Sequence, residues 1–177
     1  MSAVRLKNTG RYKVRPPAKP AEISSKNIKS VLETMDRDAN VAVPIRPQGA
    51  GTAATGCNES DSGTVLRLSG LDRILKVDAY NQTVTAQAGV RLYALAEALA
   101  ESGLELIGSH EMTGRTLGGA IAAPCLGTNI GDISGSLASQ VISAKLVTGA
   151  GKPMTVHADQ KNLMCAVRSS YGHIRFF

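Results

Sequence analysis

The chain has 177 residues, a length that fits one domain with a tail. Its 43% hydrophobic content is enough for a core, and with 3% aromatic residues and no Trp that core must be aliphatic. The 18 glycines, against an average of roughly 7% of residues, point to many tight loops. The net charge is +6, with much of the excess near the start of the chain. Cys57, Cys125 and Cys165 are odd in number and far apart, with no CxxC spacing. That excludes a disulfide framework and a zinc-ribbon pattern, and no metal is expected. Reduced thiols suggest a reducing compartment, and the cytoplasm is the expected location. No apolar run is long enough for a transmembrane helix, and no apolar h-region marks a secretory signal.

Residues 1–20 carry Arg5, Lys7, Arg11, Lys13, Arg15 and Lys19 without a single acid, ending in Pro16-Pro17-Ala-Lys-Pro20. A basic arm of this kind can contact nucleic acid or an anionic membrane. With no stacking platform or nucleic-acid motif beside it, it is read as a solvated, disordered tail, and residues 21–177 as the folded domain. Ser24 or Ser25 can cap a helix in which Ile28, Val31, Leu32 and Met35 follow at i, i+3, i+4 and i+7. Val41-Ala-Val-Pro-Ile45 reads as a short buried strand. A glycine loop, Gly49 to Gly56, comes next, then a polar turn over 57–63 and a strand over Thr64–Leu68. Leu71–Val77 leads through a turn into another strand, and Asn81-Gln82 is a hairpin turn. Val84, Ala86 and Ala88 share one face of the returning strand. Leu92, Leu95, Ala96 and Leu99 define a helix that stops at Gly103, a natural C′ glycine. A second small-residue stretch runs from Gly108 to Gly131. Ile142, Ala144 and Leu146 alternate along a strand, Gly149-Ala-Gly151 turns the chain, and Pro153–Val156 returns. Asp159–Val167 is a helix with Leu163, Met164 and Val167 on one face.

Two stretches can carry chemistry. In Pro44-Ile-Arg-Pro-Gln-Gly-Ala-Gly-Thr-Ala-Ala-Thr-Gly56, glycine permits positive φ and close approach, and successive free backbone N–H groups make a concave anion site. The stretch alone leaves two readings open, a phosphate cradle or a plain turn. It is not a Walker loop, since Cys57 follows Gly56, nor a dinucleotide fingerprint, since Ala54 stands where a glycine is needed. The second stretch reads either as tight core packing or as a cofactor wall of backbone amides and Thr hydroxyls. His110 and Glu111 beside it are read as a surface-loop pair, and His157 and His173 stand alone, so no catalytic acid or base is nominated.

Taken in order, the motifs resemble the FAD-binding (PCMH-type) domain of the vanillyl-alcohol oxidase flavoproteins, most closely the sugar-lactone and alditol oxidase branch. Arg46-Pro-Gln-Gly-Ala-Gly-Thr-Ala53 resembles that family's pyrophosphate loop. Val84-Thr-Ala-Gln-Ala-Gly-Val-Arg-Leu92 and its helix resemble the strand-then-helix that follows. Thr113-Gly-Arg-Thr-Leu-Gly-Gly-Ala120 with Gly127 and Thr128 resembles the second FAD segment, and Ser169-Ser-Tyr-Gly172 the segment that closes the domain. The resemblance covers roughly residues 21–172.

The resemblance implies an α+β fold of small mixed sheets flanked by helices, with FAD as cofactor. It implies diphosphate binding at the amides of Gly49, Ala50, Gly51, Thr52 and Ala53. Ser109, Thr113, Thr116, Gly119 and Ala120 would line the flavin and ribityl side, completed by Gly127 and Thr128. Many family members carry a covalently linked His where this chain has Thr52, so FAD is expected to bind non-covalently. Cys125 is expected to be a buried small hydrophobe. Family members continue through a cap domain that meets the substrate. The expectation is therefore the N-terminal portion of an oxidoreductase acting on CH–OH groups of a sugar lactone, alditol or 2-hydroxyacid, without turnover of its own. A truncated sheet would leave strand edges unpaired and make the chain poorly soluble. The alternative is a non-catalytic nucleotide- or phosphate-binding module, or a basic nucleic-acid-binding one.

Overall fold

The computed structural model describes residues 21–24, 27–35, 41–53, 56–106, 113–123, 136–168, 170–172 and 175–176. The basic segment 1–20 lies outside them, as do Ser109, His110, Glu111, Cys125, Gly127, Thr128 and His173.

Among the described residues there are three small sheets and four α-helices. Strands β1 (Ala21–Ser24), β2 (Ile45–Gln48) and β3 (Thr64–Arg67) form a parallel sheet in the order β1-β3-β2. Strands β4 (Ile74–Asp78) and β5 (Thr83–Ala86) form an antiparallel hairpin. Strands β6 (Ser143–Val147), β7 (Pro153–His157) and β8 (Arg175–Phe176) form an antiparallel sheet with β6 in the centre. Helices α1 (Ile28–Met35), α2 (Leu92–Ala100), α3 (Leu117–Ala122) and α4 (Lys161–Val167) pack among them. Both parallel and antiparallel pairing occur, with helices alongside, as expected.

Helix α1 covers the parallel sheet: Val31 is buried and Leu32 partly so, against Leu66, Leu68, Leu71 and Val147. Its cap is Asn27 and not Ser24, while Ser25 lies outside the described residues. The Asn27 Oδ1 accepts from the Ser30 N–H at 2.9 Å, and the Ser30 hydroxyl donates back to the Asn27 carbonyl at 2.8 Å. Ser24 is instead the last residue of β1, paired with Arg67.

The strand expected at 41–45 begins only at Ile45, and Val43 is 75% exposed. Its partner sets this limit. Gly63 lies so close to Pro44 that a Cβ there would collide with the Pro44 backbone, so pairing opens with the Thr64 N–H donating to the Pro44 carbonyl at 3.0 Å. Pro47 sits within β2 without cost. In this parallel ladder the carbonyls of Pro44 and Gln48 face β3, so the alternate residues, Pro47 among them, point away from it on an edge strand.

Parallel neighbours need a long crossover. Residues 49–63 are that crossover from β2 to β3, which places the glycine loop at the carboxyl end of β2. Ligands of open parallel sheets characteristically bind at such strand ends.

The remaining core is aliphatic. Leu95 and Leu99 of α2 join Val90 against Ile74, Val77, Val84 and Ala86 of the hairpin. Each fully buried leucine stabilises the fold by about 1.5–3 kcal/mol. Helix α2 ends as expected, with Gly103 at φ 68° and the Leu104 N–H reaching back to the Leu99 carbonyl at 3.0 Å. Met164 and Val167 of α4 pack on Ala144, Leu146 and Val156. Leu163, expected on that face, is 43% exposed, because the buried stripe is the i, i+3 pair Met164 and Val167. Ile142 lies at a bend before β6 and is 62% exposed, although Ala144 and Leu146 two and four residues on are buried.

The β4–β5 turn is held by Asp78. Its carboxylate accepts from Lys76 Nζ at 2.7 Å, the Asn81 N–H at 3.0 Å and Asn81 Nδ2 at 3.2 Å. These bonds, the Lys76 ammonium foremost, hold its pKa well below the usual carboxylate range. A depressed folded-state pKa contributes stability above the unfolded value, and that contribution is lost as pH falls through the folded one. Asp78→Asn should therefore lower the thermal midpoint at neutral pH. The gap to the parent chain should close only well below about pH 4, as read by melting curves across an acid pH series.

Candidate functional site

Beyond Gln48 the chain leaves the sheet through Gly49-Ala-Gly-Thr-Ala53. Gly51 has φ 74°, a conformation that glycine adopts without penalty. Among the described residues, none accepts a hydrogen bond from a backbone N–H of Gly49 to Ala53. The loop therefore presents a run of donors that the described residues do not use.

The wall across from it is α3. The segment 113–118 runs antiparallel to 88–93: the Tyr93 N–H donates to the Thr113 carbonyl at 3.0 Å and Leu92 N–H to Arg115 at 2.9 Å. The Leu117 and Gly118 N–H groups donate back to Val90 and Ala88, both at 2.8 Å. Thr116 is the N-cap, its hydroxyl accepting from the Gly119 N–H at 3.3 Å, while Ala120 N–H bonds the Thr116 carbonyl at 2.9 Å. The first amides of α3 are thus all consumed inside the protein. Among the described residues, backbone N–H groups without a partner are found in the loop and not at the start of this short helix.

Loop and helix touch directly. A Cβ at Gly49 would fall inside the Thr116 hydroxyl, and one at Gly118 would come within 2.8 Å of the Ala88 Cβ. Between them lies a cavity of about 310 Å³, lined by residues 49–53, Thr116, Gly118 and Gly119 of the helix segment, and Tyr171-Gly172 from the end of the chain. That volume is at the lower end of the roughly 300–1,000 Å³ usual for small-molecule sites and takes part of a dinucleotide. Tyr171 has φ 49° and is tied down by its N–H to the Ala122 carbonyl at 2.8 Å.

Of the residues singled out from sequence, Gly49, Ala50, Gly51, Thr52, Ala53, Thr116 and Gly119 line this cavity. Thr113 and Ala120 do not. Thr113 is exposed in the turn before α3, and Ala120 is fully buried against Leu92 and Leu137. Ser109, Gly127 and Thr128 lie outside the described residues. His157 is exposed at the end of β7, away from the cavity lining. Among the cavity residues not nominated from the sequence are two with polar side chains, Asn58 and Arg115. Arg115 stood inside the Thr113–Ala120 segment. Its signal was a lone cation among small and apolar neighbours.

The residues present fit a diphosphate-bearing group. The loop offers free donors and a cradle too narrow for a Cβ at Gly49. Asn58 Oδ1 and Arg115 Nε are buried polar atoms with no partner among the described residues.

The same architecture occurs in flavoenzymes. It matches the chitooligosaccharide oxidase structure with a TM-score of 0.72 at 20% identity, over 89% of this chain and 34% of that one. This likeness defines a PCMH-type FAD-binding fold. Residues 21–157 match the family described as FAD binding domain, and the chain belongs to it, within the vanillyl-alcohol oxidase flavoproteins. The chain is 41% identical over 106 residues to L-galactono-1,4-lactone dehydrogenase 1, mitochondrial, of Oryza sativa subsp. japonica, covering 60% of this chain and 18% of the relative. It is 34% identical over 135 residues to the mitochondrial L-galactono-1,4-lactone dehydrogenase of Arabidopsis thaliana, covering 73% and 22%. It thus spans about a fifth of the length of these relatives. The expectation of a cytoplasmic location is overturned, since both plant relatives are mitochondrial. Free Cys57 and Cys165 do not tell the cytoplasm from an organelle.

The Gly49–Thr116 contact predicts a coupled pair of substitutions. Gly49→Ala should destabilise the chain by about 1–3 kcal/mol through overpacking, and Thr116→Ala by about 1 kcal/mol through loss of the cap. The double variant should cost less than their sum, because removing the hydroxyl makes room for the new methyl. Urea unfolding of the four chains measures the cycle.

Proposed function

We propose that this chain is the cofactor-holding part of a flavin-dependent oxidoreductase acting on a CH–OH group of a sugar lactone. The lactone class comes from the names of the plant relatives, and their mitochondrial location belongs to the same proposal. FAD binds non-covalently, with Thr52 where a tethering histidine would stand, and its diphosphate lies on the amides of Gly49 to Ala53. The observation that carries this reading is the contrast between free loop amides and consumed helix amides around one cavity. When bound, the flavin supplies hydride-transfer chemistry. The chain's own residues bind and orient it. The loop donors take the negative charge without a lysine. The Thr116 hydroxyl fixes α3 against the loop, and Gly118 and Gly119 keep the wall thin. Tyr171-Gly172 closes one side, with Gly172 seated against Pro47.

The test is flavin retention. The purified chain is mixed with FAD, desalted, and its absorbance and fluorescence recorded beside Gly51→Asp. The parent chain should keep flavin. The variant should lose at least about tenfold in affinity, equal to 1.4 kcal/mol or more, because a carboxylate then faces the diphosphate. A folded parent chain that retains no FAD, or that binds ADP as tightly as FAD, would overturn the assignment of a flavin site.

A further inference from the structure

Among the described residues lining the cavity, Arg115 is a cation without an ion-pair partner. Its Nε is buried without a hydrogen-bond partner. A guanidinium stays charged at any physiological pH, and no carboxylate pairs with Arg115 among the described residues. Two other arginines bond carbonyls of the protein, although Arg168 Nε, like Arg115 Nε, is buried without a partner among the described residues. Arg168 Nη2 donates to the carbonyls of Ser139 and Val141 at 3.1 and 3.0 Å, and Arg91 donates to the Gly114 carbonyl. Leaving a buried donor unmade is costly, and more so for a charged one. Asn58 adds a second unmet group on the same cavity, a buried amide oxygen without a donor. The neighbouring lining is apolar, including Leu68, Ala88 and Ala122.

The position of Arg115 is fixed. Its carbonyl accepts from the Leu92 N–H, and the next residue, Thr116, is in contact with Gly49. Its backbone is therefore one residue from the donor loop.

We propose that Arg115 is the charged ligand contact of this site and sets its preference for a diphosphate. Its guanidinium donates to a phosphate oxygen beside the loop amides, and the Asn58 oxygen accepts from a hydroxyl or N–H of the same ligand. Charge-assisted bonds of this type are shorter and stronger than neutral ones. The inference rests on the cavity being the FAD site.

The test titrates FAD, ADP and riboflavin into the parent chain, Arg115→Met, Arg115→Lys and Gly51→Asp, at low and high salt. Arg115→Met should weaken FAD and ADP about ten- to a hundredfold and leave riboflavin unchanged. Arg115→Lys should recover part of the loss, and the salt dependence should flatten in the Met variant. The melting curve is the independent readout. Since no protein partner is left behind, the midpoint of Arg115→Met should match or exceed that of the parent. A large fall in midpoint would make Arg115 structural and overturn the proposal. Unchanged FAD affinity in Arg115→Met, with binding lost in Gly51→Asp, would overturn it while sparing the loop site. A folded parent chain that binds none of the three would remove the site reading and this proposal together.

Discussion

The contact between Gly49 and Thr116 is what the site depends on. It brings the end of a parallel strand against the start of a helix that lies far along the chain. The approach is so close that neither residue tolerates much change: a methyl on Gly49 would occupy the space of the Thr116 hydroxyl. Gly118 repeats the pattern two residues after Thr116, against Ala88. Together these contacts lock the β2 loop, the end of the β4–β5 hairpin and α3 around one cavity. The elements behind them are ordinary aliphatic packing. Leu92 and Ala120 hold α3 on α2, and Ala88 and Ala122 join the cluster beneath β6 and β7.

This geometry divides the backbone donors into two sets. The helix spends its amides on Val90, Ala88 and its own cap, so it acts as a rigid wall. The loop spends none on described residues, so it is the part able to take an anion. The loop is half-buried at Gly49, Ala50 and Ala53 and exposed at Gly51 and Thr52, so water can meet these amides until a ligand displaces it. That is how a chain of the FAD binding domain family can hold a diphosphate without a Walker lysine.

Much of this was legible in the sequence. The glycines at 49 and 51 and the small residues at 116–120 announced close backbone approach, and the ordered motifs identified the family. Helix α2 and its glycine stop followed directly from period and cap. Other features depend on tertiary structure. The apolar run at 41–44 looked like a strand, but Gly63 beneath Pro44 shifts pairing to Ile45. Leu163 and Ile142 fit an apolar pattern and yet face outward, because pattern gives a face and not its exact width. Thr113 and Ala120 belong to the right segment, but one lies in the turn before the helix and the other turns into the core. Arg115 stood out in the sequence only as a lone cation, and Asn58 gave no signal as a cavity residue. An unmet hydrogen bond is a property of the folded surroundings, not of residue type.

The most direct measurement is amide hydrogen exchange of this chain with and without FAD. The account predicts that amides of residues 49–53 exchange rapidly in the free chain and become protected when FAD is added. Those of Leu117 to Ala120 should be protected in both states. Loop amides already protected without ligand, or protection gained at 117–120 and not at 49–53, would contradict it.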